Sequence, residues 1–144
     1  MKILVAIDLS SATTKVIRAA QRIAVATHAE LTVIHAAEPD PSFIGYEAGP
    51  GVVRDQVAKE LRDEHRQVQD HAKQLRAAGL EAKALLIQGP VIQTTLKEAE
   101  RMEADMIVVG SHGHGAVYDM LIGSYSQGIL RDAKVPVLVV PVRD

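Results

Sequence analysis

The part of the chain best equipped for chemistry reads Gly110-Ser111-His112-Gly113-His114-Gly115 and, after a short interval, Gly123-Ser124-Tyr125-Ser126. Glycines that follow a buried strand let the backbone take left-handed angles and bring its N–H groups close to an anion. A helix beginning at Gly123-Ser124 would add N–H groups with no intrahelical partner and the positive end of its dipole. The Ser124 and Ser126 hydroxyls can donate to the same oxygens. Two anion-binding elements in one strand–loop–helix unit suit a polyphosphate better than a single phosphate. The plainer alternative, glycines that only turn the chain and a Ser124 that only caps a helix, stays open on these residues alone.

Other chemistries find less support. No Gly-x4-Gly-Lys-Ser/Thr stretch is present, so the lysine that a P-loop brings to transferring phosphates is missing. His112-Gly113-His114 lacks the spacer of the His-x-Gly-His nucleotidyltransferase motif. As a zinc site it lacks nearby cysteine and a third ligand, so no protein-held metal is expected and any Mg²⁺ would arrive on a nucleotide. His65 and His71, six apart on one helix, read as surface residues. His35 ends a strand and either approaches a ligand or is a satisfied core histidine. There is no Gly-x-Ser-x-Gly elbow and no carboxylate pair placed for glycoside chemistry. Asp8 could hold water or metal, or simply contact a ligand.

Five apolar runs must position these residues: Ile3 to Ile7, Leu31 to His35, Ala84 to Ile87, Met106 to Val109 and Val135 to Val140. Four are rich in Val and Ile without polar alternation, as strands covered on both faces are. Segments of helical spacing separate them. Val16, Ala20, Ile23 and Thr27 share a face after the cap candidates Ser10 and Ser11. Val53, Val57, Leu61, Val68, Ala72 and Leu75 share another before Gly79. Gly89-Pro90 opens a third helix, and Ser124 can cap a fourth. Strict alternation of strand and helix predicts an α/β fold, a single open five-stranded parallel sheet with helices on both faces and right-handed crossovers. In such sheets ligands sit beyond the carboxyl ends of the strands where strand order reverses, with the first and fourth strands as neighbours of that point. A long loop from Ala37 to Gly51 is either a mobile cover or plain disorder.

Composition narrows the class further. At 144 residues and 47% apolar content the chain suits one domain, residues 1–144, with a sizeable core. It has no cysteine, which fits a reducing compartment, and the short run before Asp8 lacks the order of a signal peptide, so a cytoplasmic location is expected. No stretch reaches the roughly 18 apolar residues of a membrane helix. A net charge of -2 from 16 basic and 18 acidic residues, with 3% aromatics, argues against nucleic-acid and lipid partners.

Spacing carries a resemblance. Gly110-x2-Gly113-x9-Gly123-Ser124, after the fourth strand, looks like the ATP-binding signature of the universal stress protein family. Lys2-Ile3-Leu4-Val5-Ala6-Ile7-Asp8 resembles that family's opening strand, Ala104 to Gly113 its fourth-strand segment, and Val135-Pro136-Val137-Leu138-Val139-Val140 its closing strand. The resemblance implies an adenine nucleotide alpha hydrolase-like, Rossmann-like fold. It also implies adenine and ribose contacts at Ala6, Ile7 and Asp8, and a base pocket lined by Ala36 and Val109. The phosphate contacts it implies are Gly110, His112, Gly113, Gly123, Ser124, Tyr125 and Ser126. The implied ligand is ATP, or ADP or AMP, with Mg, and the implied assembly is a homodimer through Val135 to Val140. An uncovered edge there would be an association hazard in any case. Leu9 stands where Gly is common in the family, Gly89 and Pro90 adjoin where many relatives have a polar residue between them, and Tyr125 is bulkier than the usual aliphatic. The expected function is a nucleotide-responsive stress or signalling module. The alternatives are a slow ATPase or phosphoryl-transfer enzyme using Asp8 or His112, and a ligand-free interaction protein.

Overall fold

The structure is a computed structural model that describes residues 1–38, 50–112 and 122–143. The predicted alternation is present as β1 (Lys2–Ala6), α1 (Thr13–Thr27), β2 (Glu30–Ala37), α2 (Pro50–Ala77), β3 (Ala82–Gln88), α3 (Val91–Arg101), β4 (Met106–Gly110), α4 (Ser124–Asp132) and β5 (Val137–Val140). The strands form one sheet in the order β3-β2-β1-β4-β5, every neighbouring pair parallel.

Successive residues of a strand point to opposite faces, and both faces are covered by helices, which is why the strand sequences are continuously apolar. On one side Ile3, Val5, Leu31, Val33 and Val108 pack with Val16, Ala20 and Ala24 of α1 and Val68, Ala72 and Leu75 of α2. On the other, Leu4, Ala6, Ile34, Ile107 and Val109 pack with Ala99 of α3 and Ile129 of α4.

Element ends differ from the sequence reading in instructive ways. β2 runs on through Ala36 and Ala37, because Ala36 pairs with Ile87 and Ala37 with Gln88 of β3. The segment expected to be a loop is therefore shorter, with α2 starting at residue 50, and residues 39–49 lie outside the described residues. β5 starts at Val137, while the Pro136 carbonyl still accepts from Ile107 N–H at 3.0 Å. Neither Ser10 nor Ser11 caps α1. Ala12 holds the N-cap position, and the Ser10 hydroxyl accepts instead from Ala12 N–H one turn earlier. Gly79 does close α2, at φ 88, where a Cβ would be strained. Among the described residues no helix is long and apolar enough to cross a membrane.

His71 is only half exposed on α2, and burial holds its pKa below the ordinary imidazole value, partly opposed by Asp70. A histidine with a depressed folded pKa binds fewer protons folded than unfolded, so it lowers stability as pH falls through its unfolded value. His71→Leu is therefore expected to narrow the gap in thermal midpoint between about pH 8 and about pH 5, read by differential scanning fluorimetry.

Candidate functional site

Strand order reverses between β1 and β4, whose following connections leave toward opposite sides of the sheet. A cleft of about 920 Å³ opens there, within the usual size of small-molecule sites. Its floor is the carboxyl ends of β1, β2 and β4. Its walls are the start of α1, the middle of α2 and the starts of α3 and α4.

The floor is built by short turns. Asp8 Oδ1 accepts from Ser10 N–H at 3.0 Å, Ser10 Oγ accepts from Ala12 N–H at 3.2 Å, and the Ser10 carbonyl accepts from Thr13 N–H at 3.1 Å. Between them Leu9 sits at φ 59, a left-handed conformation that a glycine would take without cost. On the β2 side Glu38 Oε1 accepts from Val91 N–H at 3.1 Å and so occupies one donor at the start of α3.

α4 begins where β4 ends. Gly123 N–H donates to the Ser111 carbonyl at 2.7 Å, Ser111 N–H donates to the Val140 carbonyl at 2.8 Å, and the Ser111 hydroxyl accepts from Val142 N–H and shares a hydrogen bond with His112 Nδ1. These ties fix the first turn of α4 against the sheet. Its first intrahelical bond runs from Gln127 N–H to the Gly123 carbonyl, so the amides of Ser124, Tyr125 and Ser126 precede the helical ladder.

Of the residues singled out in the sequence, Ala6, Ile7, Asp8, Ala36, Gly110, His112, Ser124 and Tyr125 line the cleft together. Gly113 lies outside the described residues. Three take other positions. Val109 is fully buried between β4 and the helices rather than facing the cleft, because it points into the α3–α4 core. Ser126 is also buried, and its hydroxyl donates to the Gly110 carbonyl, tying α4 to β4 instead of reaching an anion. Gly123, not Ser124, is the N-cap residue of α4, with no side-chain cap, and its N–H is taken by Ser111. His35 faces the cleft while donating from Nδ1 to the Ile7 carbonyl at 3.0 Å, which combines the two readings its sequence position left open.

Sequence reasoning passed over Thr13, Glu38, Glu64 and Gln67, which also line the cleft. Glu64 had a legible signal, for it falls between Leu61 and Val68 on the apolar stripe of α2. The described lining contains Asp8, Glu38 and Glu64 but no Lys or Arg. Any anion held here would rest on backbone N–H groups and helix dipoles.

Tyr125 joins two walls. Thr95 Oγ1 spends its one hydrogen on the Val91 carbonyl at 2.8 Å, so the Tyr125 hydroxyl donates to Thr95 Oγ1 at 2.9 Å. Burial pushes the Tyr125 phenol up to about 12, the Thr95 hydrogen bond pulls against that rise, and the Asp8 carboxylate adds to it. The phenol thus stays a neutral donor linking α4 to α3. Thr95→Val should cost more than Tyr125→Phe, about 2 against about 1 kcal/mol by urea unfolding, because only the first strands a buried hydroxyl donor.

Fold and site together define a parallel α/β domain with a small-ligand cleft at its topological switch point and a helix N-terminus facing into it. The model of the Universal stress protein family matches residues 1–141, and the chain belongs to that family. It is 34% identical over 138 residues to the universal stress protein in the QAH/OAS sulfhydrylase 3'region of Thermus aquaticus, covering 96% of each chain. With the universal stress protein YxiE of Bacillus subtilis it shares 31% identity over 144 residues, 96% of this chain and 97% of the relative. The structure of UspA from Lactobacillus plantarum superposes with a TM-score of 0.81 at 21% identity, over 97% of both chains. A universal stress protein in complex with cAMP gives 0.69 at 21% identity, over 99% of this chain and 98% of that one. One from Archaeoglobus fulgidus in complex with dAMP gives 0.65 at 21% identity, over 97% of both.

Proposed function

We propose that this chain binds an adenine nucleotide, ATP in its Mg complex by preference, in the cleft above β1 and β4, as a homodimeric nucleotide-responsive stress or signalling module. The observation that carries the reading is the first turn of α4. Ser124 and Tyr125 of that turn line a cleft built at the switch point together with Gly110, and the amides of the turn precede the helical ladder. A Cβ on Gly110 would stand 3.2 Å from both Val16 and Val142, so a side chain there would have to push these packed neighbours aside by a few tenths of an ångström. The nucleoside lies toward Asp8 and Ala36 and the phosphates toward Ser124. Family relatives solved with cAMP and dAMP support an adenine ligand.

The absence of Lys and Arg from the described lining favours holding over hydrolysis, since phosphoryl transfer depends on electrostatic stabilisation of the transferred group. It also gives Mg²⁺ a role, offsetting the charge of phosphates held at the start of α4. For the dimer, β5 pairs only with β4 among the described residues, and its half-buried Val137, Leu138 and Val139 offer an open edge to a twin in a reducing, cytoplasmic setting.

Ultrafiltration of the pure protein followed by nucleotide identification tests the reading. Retention of ATP, ADP or AMP, with a rise in thermal midpoint on adding Mg-ATP, is the expected result. No retained nucleotide and no thermal shift would overturn it.

A further inference from the structure

Among the described residues two buried polar atoms in the wall of the cleft away from α4 have no hydrogen-bond partner: Thr13 Oγ1, on a residue only 3% exposed, and Glu64 Oε2, the inner oxygen of a side chain that is 34% exposed. Orphaned buried polar atoms are rare because each carries a desolvation cost that a partner normally offsets. Both residues line the same cleft as His35. The geometry around His35 sharpens the point. A carbonyl can only accept, so the bond to Ile7 places a hydrogen on Nδ1 and leaves Nε2 as the ring atom turned to Glu64. Glu64 Oε2 lies 3.3 Å from that Nε2, yet it takes no hydrogen bond. With the ring neutral, Nε2 and Glu64 Oε2 are two acceptors side by side at the mouth of β2, complementary to a group that donates.

We propose that Glu64, with His35 beside it and Thr13 in the same cleft, is a specificity-determining subsite that accepts a hydrogen bond from the nucleoside end of the ligand. The donor is an N–H of the base's exocyclic amine or an O–H of the sugar. This rests on the nucleotide reading above, which puts the nucleoside beside Ala36, the residue after His35. A purine carrying a carbonyl in place of the amine would set an acceptor against the carboxylate, and a sugar lacking the hydroxyl would leave the carboxylate unpaired. Either substitution is penalised, because a buried polar group matched to a donor rejects the analogue without it. Thr13, whose hydroxyl can donate or accept, completes the pocket at the start of α1.

Isothermal titration of wild type and Glu64→Gln with the Mg complexes of ATP, ITP and 2'-deoxyATP tests the subsite. Wild type should prefer ATP over at least one analogue by about tenfold or more, the scale of a hydrogen bond to a charged group. Glu64→Gln should compress that preference toward equality, and the ratio that collapses identifies the amine or the hydroxyl as the donor. A merely structural role would weaken all three ligands alike, and unchanged ratios or a uniform loss would each overturn the proposal. Thr13→Val, isosteric and on α1 rather than α2, provides a second arm should Glu64→Gln not fold. A loss of ATP affinity of about threefold or more supports the subsite, and unchanged affinity overturns it. Wild type that binds none of the three nucleotides refutes the nucleotide reading itself, a result visible before any variant is compared.

Discussion

Ser124→Asp is expected to abolish nucleotide binding, lowering affinity by about a hundredfold or more, while leaving the domain folded and its thermal midpoint unchanged or raised. Ser124 is the first residue of α4 and lines the cleft, so a carboxylate there stands where a phosphate would approach. Two consequences pull apart. Toward the helix, an acidic side chain in the first turn is favourable by about 0.3–1 kcal/mol. Toward a phosphate it is repulsive, and no described Lys or Arg lines the cleft to soften the repulsion. Binding lost with stability kept would separate an anion site from an ordinary helix start. Isothermal titration with Mg-ATP and a thermal melt on the same preparation read both effects.

The second large effect is on stability. Ile107→Ala is expected to destabilise the domain by about 3 kcal/mol in urea unfolding monitored by circular dichroism, within the range seen for large-to-small core changes. Ile107 is fully buried near the start of β4, opposite Leu4 of β1 and Val137 of β5, and packs in the α3–α4 core with Ile129. β4 also leads directly into Gly110 and Ser111, which anchor α4. A cavity at Ile107 should therefore loosen the cleft as well as the core. A loss of about 3 kcal/mol is a large part of the roughly 5–15 kcal/mol that holds a domain of this size together.

The strands were legible because burial on both faces leaves a plain mark, unbroken apolar runs such as Ile3 to Ile7 and Met106 to Val109. Their parallel pairing, and the place of the first and fourth strands beside the switch point, followed from the strict alternation with helices, whereas the full order appears only in the structure. The extension of β2 through Ala36 and Ala37 was not legible, since alanine has little strand preference and only pairing with Ile87 and Gln88 holds it there. At the site, the chemistry read from backbone features was the more visible part: the glycines and the helix start come from local sequence. What stayed hidden depends on distant partners. Ser126 looks like an anion donor until its hydroxyl meets the Gly110 carbonyl. Glu64 looks like one charge among many on α2 until the fold sets it beside His35, which comes from another element.

Calorimetric titration of the pure, nucleotide-free protein with Mg-ATP is the most direct measure of whether this cleft holds a nucleotide. Saturable binding with one site per chain and a dissociation constant in the micromolar range or tighter is the predicted result. The absence of any saturable heat, at protein concentrations well above that range, would contradict it.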